Sequence, residues 1–192
     1  MKNAMIEKLS SFISNLFNPV FSFLFFLLYY AFNTMESGEA WLFIGKAVLI
    51  FAVPILGYIY YNVKKGKFTN MDVSNRKQRN SLYYYIIALL LLFIVVNLIT
   101  GKTIPAAFYY LTGLLCVMML SNFWIKSSMH TALNFFVAAL FYQLSPTLGL
   151  IWAGLTVIIA ITRLILKRHT LSEVFSGAVI GIIFSIAFVY WN

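Results

Sequence analysis

Apolar runs alternate with short polar ones along almost the whole chain. Strongly apolar stretches cover about residues 17–34, 41–61, 82–99, 105–125, 130–145, 147–163 and 171–191. Most approach the ~20 residues that a helix needs to cross a ~30 Å hydrocarbon core. The fifth and sixth are the shortest and meet at Ser145-Pro146-Thr147, which reads as a tight helical hairpin. The pattern predicts an all-α, polytopic membrane helical bundle with six to seven transmembrane helices. The count is seven if every stretch crosses and six if one hairpin is shallow.

Residues 1–16 follow a different pattern. Ile6, Leu9, Phe12, Ile13, Leu16 and Phe17 fall at helical spacing, with Lys2, Glu7 and Lys8 between them. An interfacial amphipathic helix over 1–16 fits this period, followed by a single transmembrane domain over 17–192. No small-residue cleavage site follows a short apolar core, as a signal peptide requires. No internal repeat interrupts the chain.

Composition reinforces this class. Of 192 residues, 62% are hydrophobic and 10% charged, and the mean hydropathy is +0.89. A soluble domain has no way to bury so much apolar surface. Cys116 stands alone, so neither an internal disulfide nor a cysteine metal cluster is available.

The net charge of +9 is unevenly placed. Lys64, Lys65, Lys67, Arg76, Lys77 and Arg79 precede the third stretch, Lys126 follows the fourth, and Arg163, Lys167 and Arg168 follow the sixth. The alternate loops hold Glu36, Glu39 and Lys102. With seven crossings, every basic loop shares one face with the N-terminus, and the positive-inside rule makes that face cytoplasmic. Topology and lipid headgroup contact account for Lys64, Lys65 and Lys67. Nucleic acid is not an expected partner, because no soluble domain carries the charge. Tyr58, Tyr60, Tyr61, Tyr83, Tyr84, Tyr85, Trp124, Tyr190 and Trp191 read as interfacial belts.

Three polar stretches hold the candidate chemistry. In Asp72-Val73-Ser74-Asn75-Arg76-Lys77-Gln78-Arg79-Asn80, Arg76 and Arg79 are three apart and can face one way on a helix. Paired guanidinium forks suit a phosphate, although basic residues before a span are also the default. In Lys126-Ser127-Ser128-Met129-His130-Thr131, Ser128 and nearby amides open a helix, an anion site or a plain cap. His130 is either functional or an interfacial histidine. In the third, Arg163, His169 and Glu173 are spaced so that Glu173 can orient the imidazole. A basic flank with a dipole-favoured glutamate is the bland alternative. Two apolar stretches separate each group from the next, so an even number of crossings returns all three to one interface.

These residues resemble the motifs of the type 2 phosphatidic acid phosphatase superfamily of membrane lipid phosphatases. Its third motif, Ser-Arg, five residues, His, three residues, Asp, is similar to Thr162-Arg163, five residues, His169, three residues, Glu173. Its second, Pro-Ser-Gly-His, appears as Ser127-Ser128-Met129-His130. Its first, Lys, six residues, Arg-Pro, aligns with Asp72 and Arg79-Asn80, with Arg76 or Lys77 as substitute for the lysine.

The resemblance covers about residues 64–190 and implies that family's helical core. It implies a phosphatase acting on a lipid phosphate, such as phosphatidic acid, phosphatidylglycerol phosphate or a polyprenyl diphosphate. His169 is then the nucleophile that forms a phosphohistidine, Glu173 its orienting partner and His130 the general acid. Arg79, Arg163, Ser128 and the Met129 amide hold the phosphoryl oxygens, with Arg76 and Lys77 near them. No metal or cofactor is implied. Met129 stands where a glycine lets backbone approach a phosphate.

The resemblance also implies an external, periplasmic site, against the cytoplasmic one that the charges favour. The size and small loops of the chain suggest the bacterial inner membrane as location. Three rival readings remain. A motif-drifted relative could bind phospholipid headgroups without turnover. An intramembrane prenyltransferase would need paired Asp-rich motifs, and the run after Asn70-Met71-Asp72 supplies one Asp. A small transporter would need a polar pathway within the spans.

Overall fold

The computed structural model describes residues 2–191, with side chains from residue 4, and among these it is entirely helical and loop. The helices are α1 (Lys2–Leu16), α2 (Pro19–Thr34), α3 (Ser37–Ala47), α4 (Val53–Lys64), α5 (Arg76–Ile99), α6 (Ala106–Ser121), α7 (Met129–Leu144), α8 (Pro146–Ile165) and α9 (Leu171–Trp191).

A wide π turn over Val48–Ala52 joins α3 to α4. It lies just before Pro54, whose ring and missing N–H disturb a regular helix. Ser37–Lys64 therefore runs as one 28-residue apolar rod. Together with α5, α8 and α9 it makes four helices long and apolar enough to cross a membrane. α1 and α2 count as a fifth if their pair, bent by 55°, is one broken span. The chain is thus an all-α bundle with the build of an integral membrane protein. α6 and α7 have 16 residues each, about 24 Å at the usual rise.

Asn18 makes the bend between α1 and α2. Its side chain accepts from the Val20 and Phe21 amides, and Pro19 opens the new helix. α1 is helical, as its period predicts, but it does more than lie on a surface. Met5, Leu9 and Phe12 are exposed, whereas Ser10 and Ser14 are buried, and α1 packs on α8. Its apolar residues face outward and its small polar residues face the protein.

α7 is the central post, packed chiefly on α8 and α9, and also on α2. Residues Ala132, Leu133, Phe136, Val137, Ala139 and Leu140 are all buried. Close crossings hold it. Around the Ser145 turn, Gly149 lies against the Tyr142 backbone; a Cβ there would come within 2.6 Å of Tyr142 Cα. On α9, Gly177 and Gly181 lie against the backbone of Ser128 and Ala132, with the carbonyl oxygens 2.6 Å from where each Cβ would stand. Small residues four apart let membrane helices approach in this way.

Candidate active site

The three polar stretches meet at one end of the bundle, where α5, α7 and α9 begin and α6 and α8 end. Arg79, one turn into α5, is 2% exposed. It donates from Nη1 to Ser127 O (2.9 Å) and from Nε to Val73 O (3.4 Å). This ties the first stretch to the second. The second joins the third by three links. The Ser128 amide donates to Glu173 O (2.9 Å), the Ser127 and Ser176 hydroxyls lie 2.6 Å apart, and Lys126 Nζ donates to Arg168 O (3.0 Å).

His169 owes its position to the end of α8. Lys167 takes a left-handed conformation (φ 52°), which reverses the chain as helix C-caps do. The Arg168 and His169 amides then both donate to Arg163 O (3.0 and 3.3 Å). Thr170 and Glu173 form a capping box at the start of α9. The Thr170 amide donates to Glu173 Oε2 (3.1 Å) and the Glu173 amide to Thr170 Oγ1 (3.3 Å).

The same Oε2 lies 2.9 Å from His169 Nδ1. A carboxylate only accepts, so Nδ1 donates, and in the neutral ring Nε2 keeps its lone pair. Nε2 is buried and has no hydrogen-bond partner among the described residues. Glu173 is both cap and orienting partner, and Lys126 Nζ stands 3.5 Å from it.

Burial first, and then the charges of Arg79, Arg163 and Lys126, push the His169 imidazole well below its ordinary pKa, so it is held neutral. The sign of the linkage follows. The unfolded chain takes up a proton near pH 6.5 that the folded chain refuses, so this group's contribution to stability falls as pH falls. The slope is about 1.4 kcal/mol per pH unit below ~6.5. Thermal melts between pH 7 and pH 5 are expected to show a Tm that drops on acidification. The drop should be smaller in His169→Asn.

Arg163, 2% exposed at the last turn of α8, donates from Nη2 to Asp72 Oδ2 and from Nη1 to Ser14 Oγ (2.7 Å). Its Nε has no partner among the described residues. His130, 9% exposed, has Nε2 3.8 Å from Asp72 Oδ1, and Arg168 Nε lies 3.9 Å from Asp72 Oδ2. Burial would raise the Asp72 carboxyl, but His130 and Arg163 outweigh it and hold it below the usual carboxylate range.

The remaining candidates divide. Ser128 is the N-cap of α7: its Oγ accepts from the Thr131 hydroxyl (3.0 Å) and amide (3.4 Å). Met129 opens that helix beside His130. Arg76 and Lys77 do not join the cluster. Asn75 caps α5 by accepting from the Lys77 amide, so Arg76 falls in the exposed first turn and its Nε donates to Asn122 O (2.6 Å). Lys77 is exposed, with no ion pair among the described residues. The three-residue spacing expected to aim Arg76 with Arg79 instead sets them at different depths.

Two residues outside the motifs enter the site. Ser14 arrives from α1, and its signal was the Ser10/Ser14 pair at helical spacing. Asn134, one turn below His130, donates from Nδ2 to His130 O (2.8 Å) and Phe17 O (3.1 Å) and accepts from Trp152 Nε1 (3.2 Å). Beside it lies an apolar hollow of about 530 Å³ walled by Phe17, Phe25, Phe141, Leu148, Trp152 and Leu155. A cleft of about 260 Å³ is lined by Lys126, Lys167, Arg168, His169 and Glu173.

The chain matches no protein family profile, no curated protein and no solved structure.

Proposed function

We propose that this chain is a metal-independent membrane phosphatase that hydrolyses a lipid phosphate. One observation carries the reading: a buried His169 whose Nδ1 is held by Glu173, leaving Nε2 without a hydrogen-bond partner among the described residues and under the charges of Arg79 and Arg163. A nucleophile with an orienting partner, a second histidine and buried guanidinium groups are the parts that phosphoryl transfer needs. His169 Nε2 attacks phosphorus, and the ester bond to the lipid oxygen breaks. His130 gives that oxygen its proton. Water then attacks the phosphohistidine, passing a proton back to His130, and inorganic phosphate leaves. Arg163 and Arg79 hold the charge on the phosphoryl oxygens. The apolar hollow next to Asn134 accommodates a hydrocarbon chain, which favours a lipid over a soluble ester.

The test is phosphate release in detergent from a panel of phosphatidic acid, phosphatidylglycerol phosphate and polyprenyl diphosphate. An acid-labile phosphoenzyme should form with the substrate that turns over. Absence of both across the panel would overturn the reading. A second reading, a headgroup-binding relative without turnover, is favoured by the carboxylate of Asp72 on Arg163. It predicts lipid phosphate binding with no phosphoenzyme.

We further propose seven crossings in the bacterial inner membrane, by α2, α3–α4 as one rod, and α5 to α9, with the site at the cytoplasmic interface. Lys64, Lys65, Lys67, Lys126, Lys167 and Arg168 lie toward the site end, whereas Glu36, Glu39 in the first turn of α3, and Lys102 lie at the alternate turns. Glu36→Cys and Lys65→Cys, in a Cys116→Ala background, decide the side, since both positions are exposed. In intact cells an impermeant thiol reagent is expected to label position 36 and spare position 65. The reverse pattern would place the site in the periplasm.

A further inference from the structure

Asp72 sits where an anionic ligand of this cluster would sit. One oxygen takes Arg163 Nη2 and lies 3.9 Å from Arg168 Nε; the other lies 3.8 Å from His130 Nε2. Its carboxylate has no hydrogen bond to its own loop among the described residues; the cationic groups hold it there. The loop around it is braced separately, by Asn70 with Ser74 (2.7 Å) and by Thr69 with Gln78 (3.0 Å). The turn that aims it inward is strained, because Val73, a buried β-branched residue, has φ 45°. Strain of this kind is kept where surrounding contacts over-determine the backbone.

Charge gives the feature a direction. A phosphate and the Asp72 carboxylate need the same Arg163 nitrogen, and together they would set like charges within ~4 Å of each other. With Asp72 withdrawn, Arg79, Arg163, Arg168 and Lys126 face Glu173 alone, an excess of positive charge that a phosphate dianion offsets in large part.

We propose that Asp72 is a built-in latch: its carboxylate fills the phosphate seat at rest, and the 67–75 loop swings it out when a phosphate enters. This rests on the reading of the cluster as a phosphate seat. The latch sets a threshold, since a ligand must displace an ion pair before it can bind.

Calorimetric titration of the purified chain in detergent with inorganic phosphate tests it. Asp72→Asn is expected to bind phosphate roughly tenfold tighter or more than the unaltered chain. Equal or weaker binding would overturn the latch and make Asp72 a positioning residue for Arg163. A spin label at Met71→Cys in a Cys116→Ser background gives an independent readout, because position 71 is exposed. Its mobility is expected to rise as phosphate saturates the site, and unchanged mobility at saturation would also sink the proposal. Tighter binding by Asp72→Asn without hydrolysis of any lipid phosphate would keep the latch and discard the phosphatase. Hydrolysis with no change in Asp72→Asn would do the opposite, and no phosphate binding by either form would discard both.

Discussion

His169→Ala is expected to lower phosphate release by roughly four powers of ten or more. The ring supplies the atom that attacks the lipid phosphate in the proposed mechanism, and its removal also abolishes any phosphoenzyme. Glu173 calls for a graded result. Its Oε2 is shared between His169 Nδ1 at 2.9 Å and the Thr170 amide at 3.1 Å. Glu173→Gln keeps the shape but can turn an amide N–H toward Nδ1, which removes the acceptor that fixes the tautomer. A loss of roughly a hundredfold is expected, because an orienting partner usually costs less than the nucleophile. Glu173→Asp keeps the charge and a capping residue in the first turn, and is expected to remain within about tenfold of the unaltered chain. The readout is phosphate release with phosphoenzyme trapping on the same samples. Full activity in His169→Ala would take the chemistry away from this site.

The pairing of His169 with Glu173 was legible in the sequence, because a four-residue spacing on a helix is a local feature. The convergence of the polar stretches was legible for a related reason. Each is separated from the next by two apolar runs, and charge placement shows where the chain turns. What escaped the sequence depends on positions brought together from afar or on backbone conformation. Ser14 meets Arg163 across most of the chain, and the amphipathic period of α1 suggested a surface helix instead of a wall of the site. Asp72 looked like a departure from the basic pattern; only the left-handed backbone at Val73 shows it turned onto Arg163. Arg76 was grouped with Arg79 by spacing, but the Asn75 cap sets it at the exposed rim. The length of α6 was also obscured, since apolar residues beside a short helix extend its hydropathy signal without extending the helix.

Gly177→Ala is expected to destabilise the bundle by ~1–3 kcal/mol, and Gly177→Leu by more. The new Cβ would stand 2.6 Å from Ser128 O and 2.9 Å from Ser128 N. Both are backbone atoms of the residue that caps α7, so no flexible side chain can yield. Either α9 moves away from α7, or the Ser128 turn distorts. In both cases the Ser128 amide loses Glu173 O, one of the three links between the His130 stretch and the His169 stretch. Gly154→Ala in α8 is the matched control, because its Cβ meets nothing within 4 Å. That change is expected to be neutral or to gain up to ~1 kcal/mol from helix propensity. Thermal melts in detergent separate the two. Phosphate release, measured well below either melting point, then shows whether spreading the helices also spreads the histidines. If Gly177→Ala melts with Gly154→Ala and keeps its activity, the close crossing is not what holds the halves of the site together.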